Sequence, residues 1–212
     1  MPVADWYFDY VSPYPYLQLP RFAEFPDDLE IRVKPVLFAG LLNHWGHLGP
    51  AEIPAKKTQT FRYSRWLADK RGVSYVGPPR HPFNPLALLR LTIALGPTPP
   101  LVQRVYDHVF GQGNDGQSDE SLSALAAKLE VADLPALIND PAVKAQLKAN
   151  TDEAIGKGVY GVPTFAIGGE LFWGDDMTDL FLEYVADPTL FDQPRFQGAD
   201  KLVPAATRRQ KD

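Results

Sequence analysis

The sequence has 212 residues, of which 45% are hydrophobic and 22% are charged, values that are ordinary for a globular protein with its own apolar core. It contains no cysteine, which excludes disulfide scaffolds, thiolate metal sites and cysteine nucleophiles. The 21 basic and 26 acidic residues give a formal net charge of -5, and no basic stripe interleaved with aromatic residues indicates a nucleic-acid-binding surface.

The first ten residues, MPVADWYFDY, lack the basic-then-apolar pattern of a secretory signal peptide. No apolar run of about 18 residues follows them. We therefore expect a cytoplasmic protein that does not contact a membrane. The local basic excess of Arg208, Arg209 and Lys211 lies at the C-terminal end, where a solvated and frayed terminus is expected.

The N-terminal segment predicts a strand, a helix and a second strand. Residues 3–11 are rich in aromatic residues and valine and predict a strand. Ser12 and Pro13 are typical of a helix start, with a hydroxyl at the N-cap and a proline at the first helical position. The helix is expected to continue over residues 14–25, and residues 31–36 predict the second strand. Two strands joined by a helix are expected to be parallel.

The middle of the chain predicts only helices. Their predicted ranges are residues 56–70, 85–95, 97–111, 120–129 and 140–155. The third has an apolar stripe of helical period, formed by Leu101, Val102, Val105, Tyr106, Val109 and Phe110. Ser118 and Asp140 are expected to cap the last two.

The C-terminal part predicts a hairpin and a final helix. Residues 163–167 and 170–173 are strand-like, and Gly168-Gly169 between them suits a tight turn that needs positive φ. Residues 177–185 predict the last helix, and the polar, proline-rich segment beyond Pro188 predicts an extended or partly ordered tail.

This order of elements predicts a thioredoxin-like α/β fold with an all-helical domain inserted after the second strand. The expected boundaries are residues 1–37 and 156–190 for the thioredoxin-like domain, 38–155 for the insertion and 191–212 for the tail.

Ser12 is the first candidate for chemistry. It is expected where the first strand meets a helix N-terminus, a place that favours an anion. A ligand thiolate held there would be stabilised by the helix dipole and the serine hydroxyl. Lowering a thiol pKa by about two units from ~8.5 corresponds to about 2.7 kcal/mol. The alternative, which Ser-Pro alone favours, is that Ser12 is only an N-cap.

Two further segments could bind a ligand. If the Val162–Pro163 bond is cis, the Val162 backbone groups are expected to stay open to an extended peptide; an ordinary trans proline at a strand start is the alternative. Asp175 and Asp176 precede the last helix and are either helix caps or a carboxylate site for an ammonium group.

Other residues carry weaker signals. His44 and His47 could share a metal on a helix, but no cysteine or obvious third ligand is nearby, so a metal site is not expected. Asn84 is expected to cap a helix or to line a pocket. Either Tyr14 or Tyr16 could face a substrate, and packing against the helical insertion is the alternative. No phosphate-binding glycine loop and no GxSxG motif is present.

Two long motifs, FDYVSPYPYL and GVYGVPTFAIGGELFWGDD, resemble the 2-hydroxychromene-2-carboxylate isomerases, within the kappa-class glutathione transferase group of the DsbA-like lineage. The resemblance implies that Ser12 replaces the redox cysteine of that lineage and steers the thiol of glutathione. It implies that Pro163 is the cis-proline and that Val162 pairs with the glutathione backbone. Asp176, with Asp175 beside it, corresponds to the acidic residue for the γ-glutamyl group.

The central part resembles the family less closely. The segment PAKK is similar to the family's lysine-bearing helix start, and either Lys56 or Lys57 would contact the glycyl carboxylate. Asn43 stands where a ligand-contacting asparagine is expected, although the surrounding residues depart from the family's glycine-asparagine-proline pattern.

The resemblance implies a glutathione-dependent cis-trans isomerase that acts on a small conjugated aromatic acid, and a homodimer. One alternative is a kappa-like glutathione transferase or peroxidase, which would share the glutathione site. Another is a non-catalytic thioredoxin-fold module that binds extended peptides at Val162.

Overall fold

The computed structural model describes residues 1–206, and four strands form one mixed sheet within them. They are β1 (Val3–Phe8), β2 (Glu30–Pro35), β3 (Thr164–Ile167) and β4 (Glu170–Trp173). The sheet order is β2-β1-β3-β4, with β1 parallel to β2 and antiparallel to β3. Gly168 and Gly169 join β3 to β4 with φ values of 61° and 91°, so the parallel pair and the two-glycine hairpin are both confirmed.

Nine α-helices complete this part of the chain. They are α1 (Pro13–Gln18), α2 (Phe38–Trp45), α3 (Pro54–Arg71), α4 (Leu86–Leu95), α5 (Pro99–Tyr106), α6 (Asp119–Lys128), α7 (Leu134–Asn139), α8 (Pro141–Gly156) and α9 (Thr178–Ala186). The predicted caps are confirmed, because the side chains of Ser118 and Asp140 accept hydrogen bonds from the first turns of α6 and α8.

Three helical predictions need correction. The first helix ends at Gln18 and continues as a 3₁₀ turn, Leu19–Glu24, because Pro20 has no N–H to continue the α-helical ladder. The third predicted helix ends at Tyr106 and widens into a π turn. The short helices α2 and α7 were not predicted. In α2 the central Gly40 lowers the intrinsic helix propensity, and packing against α8 supports the helix.

The sheet is buried on both faces. Trp6 and Phe8 of β1 point to one face, where they pack with Phe165 of β3 and Phe181 of α9. The rings of Phe165 and Phe181 stack with centroids 4.2 Å apart. Tyr7 points to the opposite face.

That opposite face is covered by α2 and α8. Its apolar cluster includes Val36, Leu41, Ala154 and Val162. The buried side chain of Asn150 on α8 donates to the Pro35 carbonyl at 3.0 Å, which ties α8 to the end of β2. The boundary between the inserted domain and the thioredoxin-like domain stays a prediction.

The segment after α9 forms three 3₁₀ turns between residues 190 and 201. Leu190 is buried, and the ring of Phe191 stacks on Phe172. Arg208, Arg209 and Lys211 lie outside the described residues. None of the helices in residues 1–206 is both long and apolar enough to cross a membrane.

Candidate functional site

The sheet topology brings three chain segments to one edge of the protein. The carboxyl end of β1 lies beside the start of the antiparallel β3, where Tyr7 pairs with Thr164. Because β2 is parallel to β1, the connection from β2 to α2 emerges at the same edge. A cavity of about 680 Å³ opens there, within the range of ~300–1,000 Å³ that small-ligand sites usually show. Ser12, Asn43, Lys56 and Val162 are among the residues that line it.

Ser12 stands at the N-cap position of α1, but its hydroxyl forms no capping hydrogen bond. Among residues 1–206 the hydroxyl has no hydrogen-bond partner, while the backbone N–H donates to the Asp9 carbonyl at 3.0 Å. The side chain is nearly buried and lines the cavity. With only six residues in α1, the dipole contributes less than a longer helix would. The free hydroxyl is therefore the main polar feature at this position.

The Val162–Pro163 peptide bond is cis. Within the described part of the chain, neither the N–H nor the C=O of Val162 takes part in a hydrogen bond, whereas the Pro163 carbonyl accepts from Gly174 at 2.8 Å. A Cβ atom added at Gly161 would lie 2.2 Å from the indole Nε1 of Trp173. The cavity wall thus offers one open backbone donor and one open acceptor beside an aromatic ring.

Asn43 of α2 and Lys56 in the first turn of α3 both line the cavity. Lys57 does not, and its ammonium group donates to the backbone carbonyl of His81. The structure thus separates two lysines between which the sequence could not choose, and Lys56 has the position from which a ligand can be reached.

Asp175 and Asp176 are not among the residues that line the cavity. Asp175 is buried and accepts two hydrogen bonds from the guanidinium of Arg71, at 2.7 and 2.9 Å. Arg71 also donates to the Leu17 carbonyl at 2.7 Å. Asp176 is exposed in the 3₁₀ turn before α9. The binding roles of both aspartates stay predictions.

The remaining candidates divide between the cavity and the core. Tyr14 lines the cavity, whereas the hydroxyl of Tyr16 donates to the Ser74 carbonyl at 2.7 Å. His47 lines the cavity and lies beyond the end of α2, so it does not share a helix with His44. Residues 1–206 contain no group of three or more His, Cys, Asp or Glu side chains arranged for a metal ion. Asn84 was expected to cap a helix or to line a pocket, but the N-cap of α4 is Pro85, and Asn84 is not among the residues that line the cavity. The Asn84 side chain instead accepts from the Leu86 N–H at 3.0 Å.

Asp9, which the sequence patterns did not indicate as a site residue, is a buried carboxylate beside Ser12. Its two oxygens accept hydrogen bonds from the backbone N–H groups of Val11, at 3.0 Å, and Phe38, at 2.8 Å. Burial raises the pKa of this carboxyl from 3.8 to about 7, although both hydrogen bonds favour the ionised form. Its sequence signals are a carboxylate within an apolar predicted strand and a place in the motif FDYVSPYPYL.

His81 also lines the cavity without having been selected. Its Nε2 lies 2.7 Å from the Val11 carbonyl. Since a carbonyl can only accept, Nε2–H is the donor. Burial lowers the pKa of this imidazole. The centroids of the His81 and Phe61 rings lie 4.7 Å apart in an edge-to-face arrangement. His81 therefore supports the loop that carries Ser12 as a neutral side chain.

The raised pKa of Asp9 predicts a pH-dependent stability. Because the folded-state pKa lies above the unfolded one, the stability from protonated Asp9 is complete at low pH and is lost as the pH rises through about 7. Between about pH 5 and pH 8 this loss is on the order of 2 kcal/mol. The variant Asp9→Asn lacks this contribution from protonated Asp9. Its free energy of unfolding, measured with urea, should therefore fall less than that of the wild type between about pH 5 and pH 8. Parallel pH profiles of wild type and variant would contradict the assignment.

Comparisons with known proteins agree with this fold. Residues 3–186 match the model of the DSBA-like thioredoxin domain family. A 2-hydroxychromene-2-carboxylate isomerase of Pseudomonas putida is 28% identical over 183 residues, which span 82% of this chain and 89% of the relative. Glutathione s-transferase kappa 2 of Caenorhabditis elegans is 26% identical over 212 residues, which span 88% of this chain and 92% of the relative.

A solved structure of a 2-hydroxychromene-2-carboxylate isomerase has a TM-score of 0.75 at 24% identity, covering 95% of this chain and 100% of that one. The predicted fold class and the resemblance to the isomerases and kappa-class transferases are confirmed. The chain belongs to the DSBA-like thioredoxin domain family.

Proposed function

We propose that the cavity binds reduced glutathione and that the protein is a glutathione-dependent isomerase of a conjugated aromatic acid. One observation carries the proposal: the free hydroxyl of Ser12 and the open backbone groups of Val162 line the same cavity. A thiol-bearing peptide needs both kinds of partner. The isomerases and the kappa-class transferase among the relatives support the same proposal.

The residues present fit glutathione as a ligand. An extended peptide can pair with the N–H and C=O of Val162, as a strand pairs with a sheet edge. Lys56 supplies a cation for the glycyl carboxylate, and Asn43 supplies a neutral donor and acceptor. Asp176 stays our proposal for the γ-glutamyl ammonium group.

Bound glutathione would supply a thiolate that adds reversibly to a conjugated double bond and so permits rotation, without net redox change. Ser12 donates a hydrogen bond to the sulfur and is not itself the nucleophile. Since the sequence contains no cysteine, its own side chains provide no thiol for disulfide exchange.

The second substrate would lie against the apolar side of the cavity. The residues there are Leu37, Phe38, Leu42, Leu48, Phe61 and Phe83. A wall of this composition suits a flat unsaturated or aromatic molecule. It does not discriminate between an isomerase and a kappa-like transferase, so that choice is left to product analysis.

Calorimetric titration with reduced glutathione, and with its S-methyl derivative as the control, tests the proposal. We expect saturable binding that weakens when the sulfur is methylated. Products of unchanged mass from conjugated aromatic acids would identify an isomerase, and adducts would identify a transferase. No binding at millimolar glutathione would contradict both the isomerase and the transferase, and it would favour a peptide-binding module.

The two lysines should differ when each is replaced by alanine. Lys56→Ala removes a cation from the cavity, and we expect its glutathione Kd to rise about tenfold, as for the loss of one charged hydrogen bond. Lys57→Ala removes the bond to the His81 carbonyl and should leave that Kd within about twofold. Calorimetry on both variants measures this difference. The reverse order of effects would assign the carboxylate to Lys57.

By resemblance we also propose a homodimer in the cytoplasm. Light scattering during size-exclusion chromatography tests the dimer, and a monomer at micromolar concentration would contradict it. Fractionation of cells tests the location.

A further inference from the structure

The carboxylate of Asp9 is buried without a cation. Its side chain is completely inaccessible to solvent, and within residues 1–206 it forms no salt bridge. Its hydrogen-bond partners are the backbone N–H groups of Val11 and Phe38. An unpaired buried carboxylate destabilises a fold, so its place at the cavity calls for a functional reason.

Asp9 lies close to the position at which we place the thiol. The Ser12 N–H donates to the Asp9 carbonyl at 3.0 Å, so the two residues close a single turn. Both residues line the same cavity. The carboxylate also joins the loop that carries Ser12 to the first turn of α2 through Phe38, across the cavity edge.

Two negative charges in one buried site oppose each other. A thiolate beside Ser12 would raise the proton affinity of the Asp9 carboxylate, and an ionised Asp9 would disfavour the thiolate. The pair reaches its lowest energy with a single negative charge. The pKa of about 7 for Asp9 means that it can take up a proton near neutral pH.

Several titratable groups near Asp9 are already engaged in hydrogen bonds. The Tyr10 hydroxyl forms a hydrogen bond with the Thr92 hydroxyl. The Tyr106 hydroxyl donates to the Asp9 carbonyl. The other titratable or charged side chains along the cavity are Tyr14, His47, Glu52, Lys56, His81 and Tyr160. Among these, His81 uses its Nε2–H for the Val11 carbonyl.

We propose that the carboxylate of Asp9 takes up and holds the proton that leaves the glutathione thiol when it ionises beside Ser12. The inference rests on the proposed function. In this step the S–H bond breaks, its electron pair stays on sulfur, and an O–H bond forms on Asp9. One negative charge moves from oxygen to sulfur, and no proton enters the solvent. The proton then remains available inside the site.

Proton counting by calorimetry tests this step. Glutathione is titrated at about pH 7.5, where a free thiol is mostly protonated, in two buffers of different ionisation enthalpy. Thiolate formation is followed separately by ultraviolet absorbance. For the wild type we expect a thiolate signal with fewer protons released than thiolates formed, because ionised Asp9 takes up the rest. For Asp9→Asn we expect about 0.9 protons released with the thiolate signal retained.

Two controls accompany the measurement. Glu153→Gln makes the same chemical change at a carboxylate that bonds Lys34, Tyr7 and Lys157 away from the cavity, and its count should match the wild type. S-methyl-glutathione has no thiol proton and should give equal counts in wild type and Asp9→Asn.

The wild-type count alone keeps the inference falsifiable if Asp9→Asn fails to fold. Close to one proton released together with a thiolate signal would overturn the role of Asp9 and leave glutathione binding intact. Binding without a thiolate signal would overturn it as well. Absence of binding would remove the proposed function first, and this inference with it.

Discussion

Replacement of Ser12 by alanine should raise the pKa of the thiol of bound glutathione by about one to two units. It should leave the affinity for glutathione with a neutral thiol nearly unchanged. The hydroxyl is the one polar group that Ser12 offers to the cavity, and a hydrogen bond to a charged atom contributes about 1.5–3 kcal/mol. The peptide part of glutathione keeps its partners at Val162. Thiolate absorbance as a function of pH measures the first quantity, and calorimetry at low pH measures the second.

Ser118→Ala is the matched control. The Ser118 hydroxyl accepts a hydrogen bond from Ser121 at 3.3 Å and caps α6, so its loss should cost about 1 kcal/mol of stability. The Ser12 hydroxyl forms no such cap, and Ser12→Ala should unfold at nearly the wild-type urea concentration. Equal losses of affinity and thiolate formation in Ser12→Ala would contradict the steering role.

Arg71→Ala should cause a large loss of stability. Its guanidinium donates to both carboxylate oxygens of Asp175 and to the Leu17 carbonyl. These bonds join the end of α3 to α1 and to the turn before α9. Removing the cation leaves the carboxylate of Asp175, a residue only 6% exposed, without a hydrogen-bond partner in the described part of the chain. Breaking a buried ion pair in this way costs about 3 kcal/mol, which urea denaturation would measure.

Two further variants serve as a control and as a rescue for Arg71→Ala. Arg62→Ala on the same helix removes an exposed arginine that forms no salt bridge within residues 1–206, and it should change stability by less than about 0.5 kcal/mol. The double change Arg71→Ala with Asp175→Asn should recover part of the loss, because no buried charge is then left unpaired. A single Arg71→Ala as stable as Arg62→Ala would refute the argument.

Features with local causes could be predicted from the sequence. The hairpin was predictable because Gly168 and Gly169 both adopt positive φ, which glycine allows at no steric cost. The cap of α6 followed from Ser118, and the apolar stripe of α5 followed from its period. Ser12 was selected because the Ser-Pro pair is typical of a helix start, and both Ser12 and Val162 lie in motifs that resemble those of the 2-hydroxychromene-2-carboxylate isomerases.

Features that depend on distant contacts could not be predicted in this way. The burial of Asp9 depends on the N–H of Phe38, which belongs to a helix that sequence patterns did not indicate. Asp175 looked like a helix cap or a ligand-binding group, yet its partner Arg71 lies far away in the chain. Lys56 and Lys57 are neighbours with the same chemistry, and only the fold determines which one faces the cavity.

The central position of β1 has a consequence for biosynthesis. One edge of β1 pairs with β2 early in the chain, but its other edge waits for β3, which begins at Thr164. At translation rates of ~5–20 residues per second, that edge has no native partner for about 10 to 30 seconds. An unpaired strand edge can pair with other chains. The nascent protein should therefore need a chaperone, or transient cover from its own helices, until β3 emerges from the ribosome.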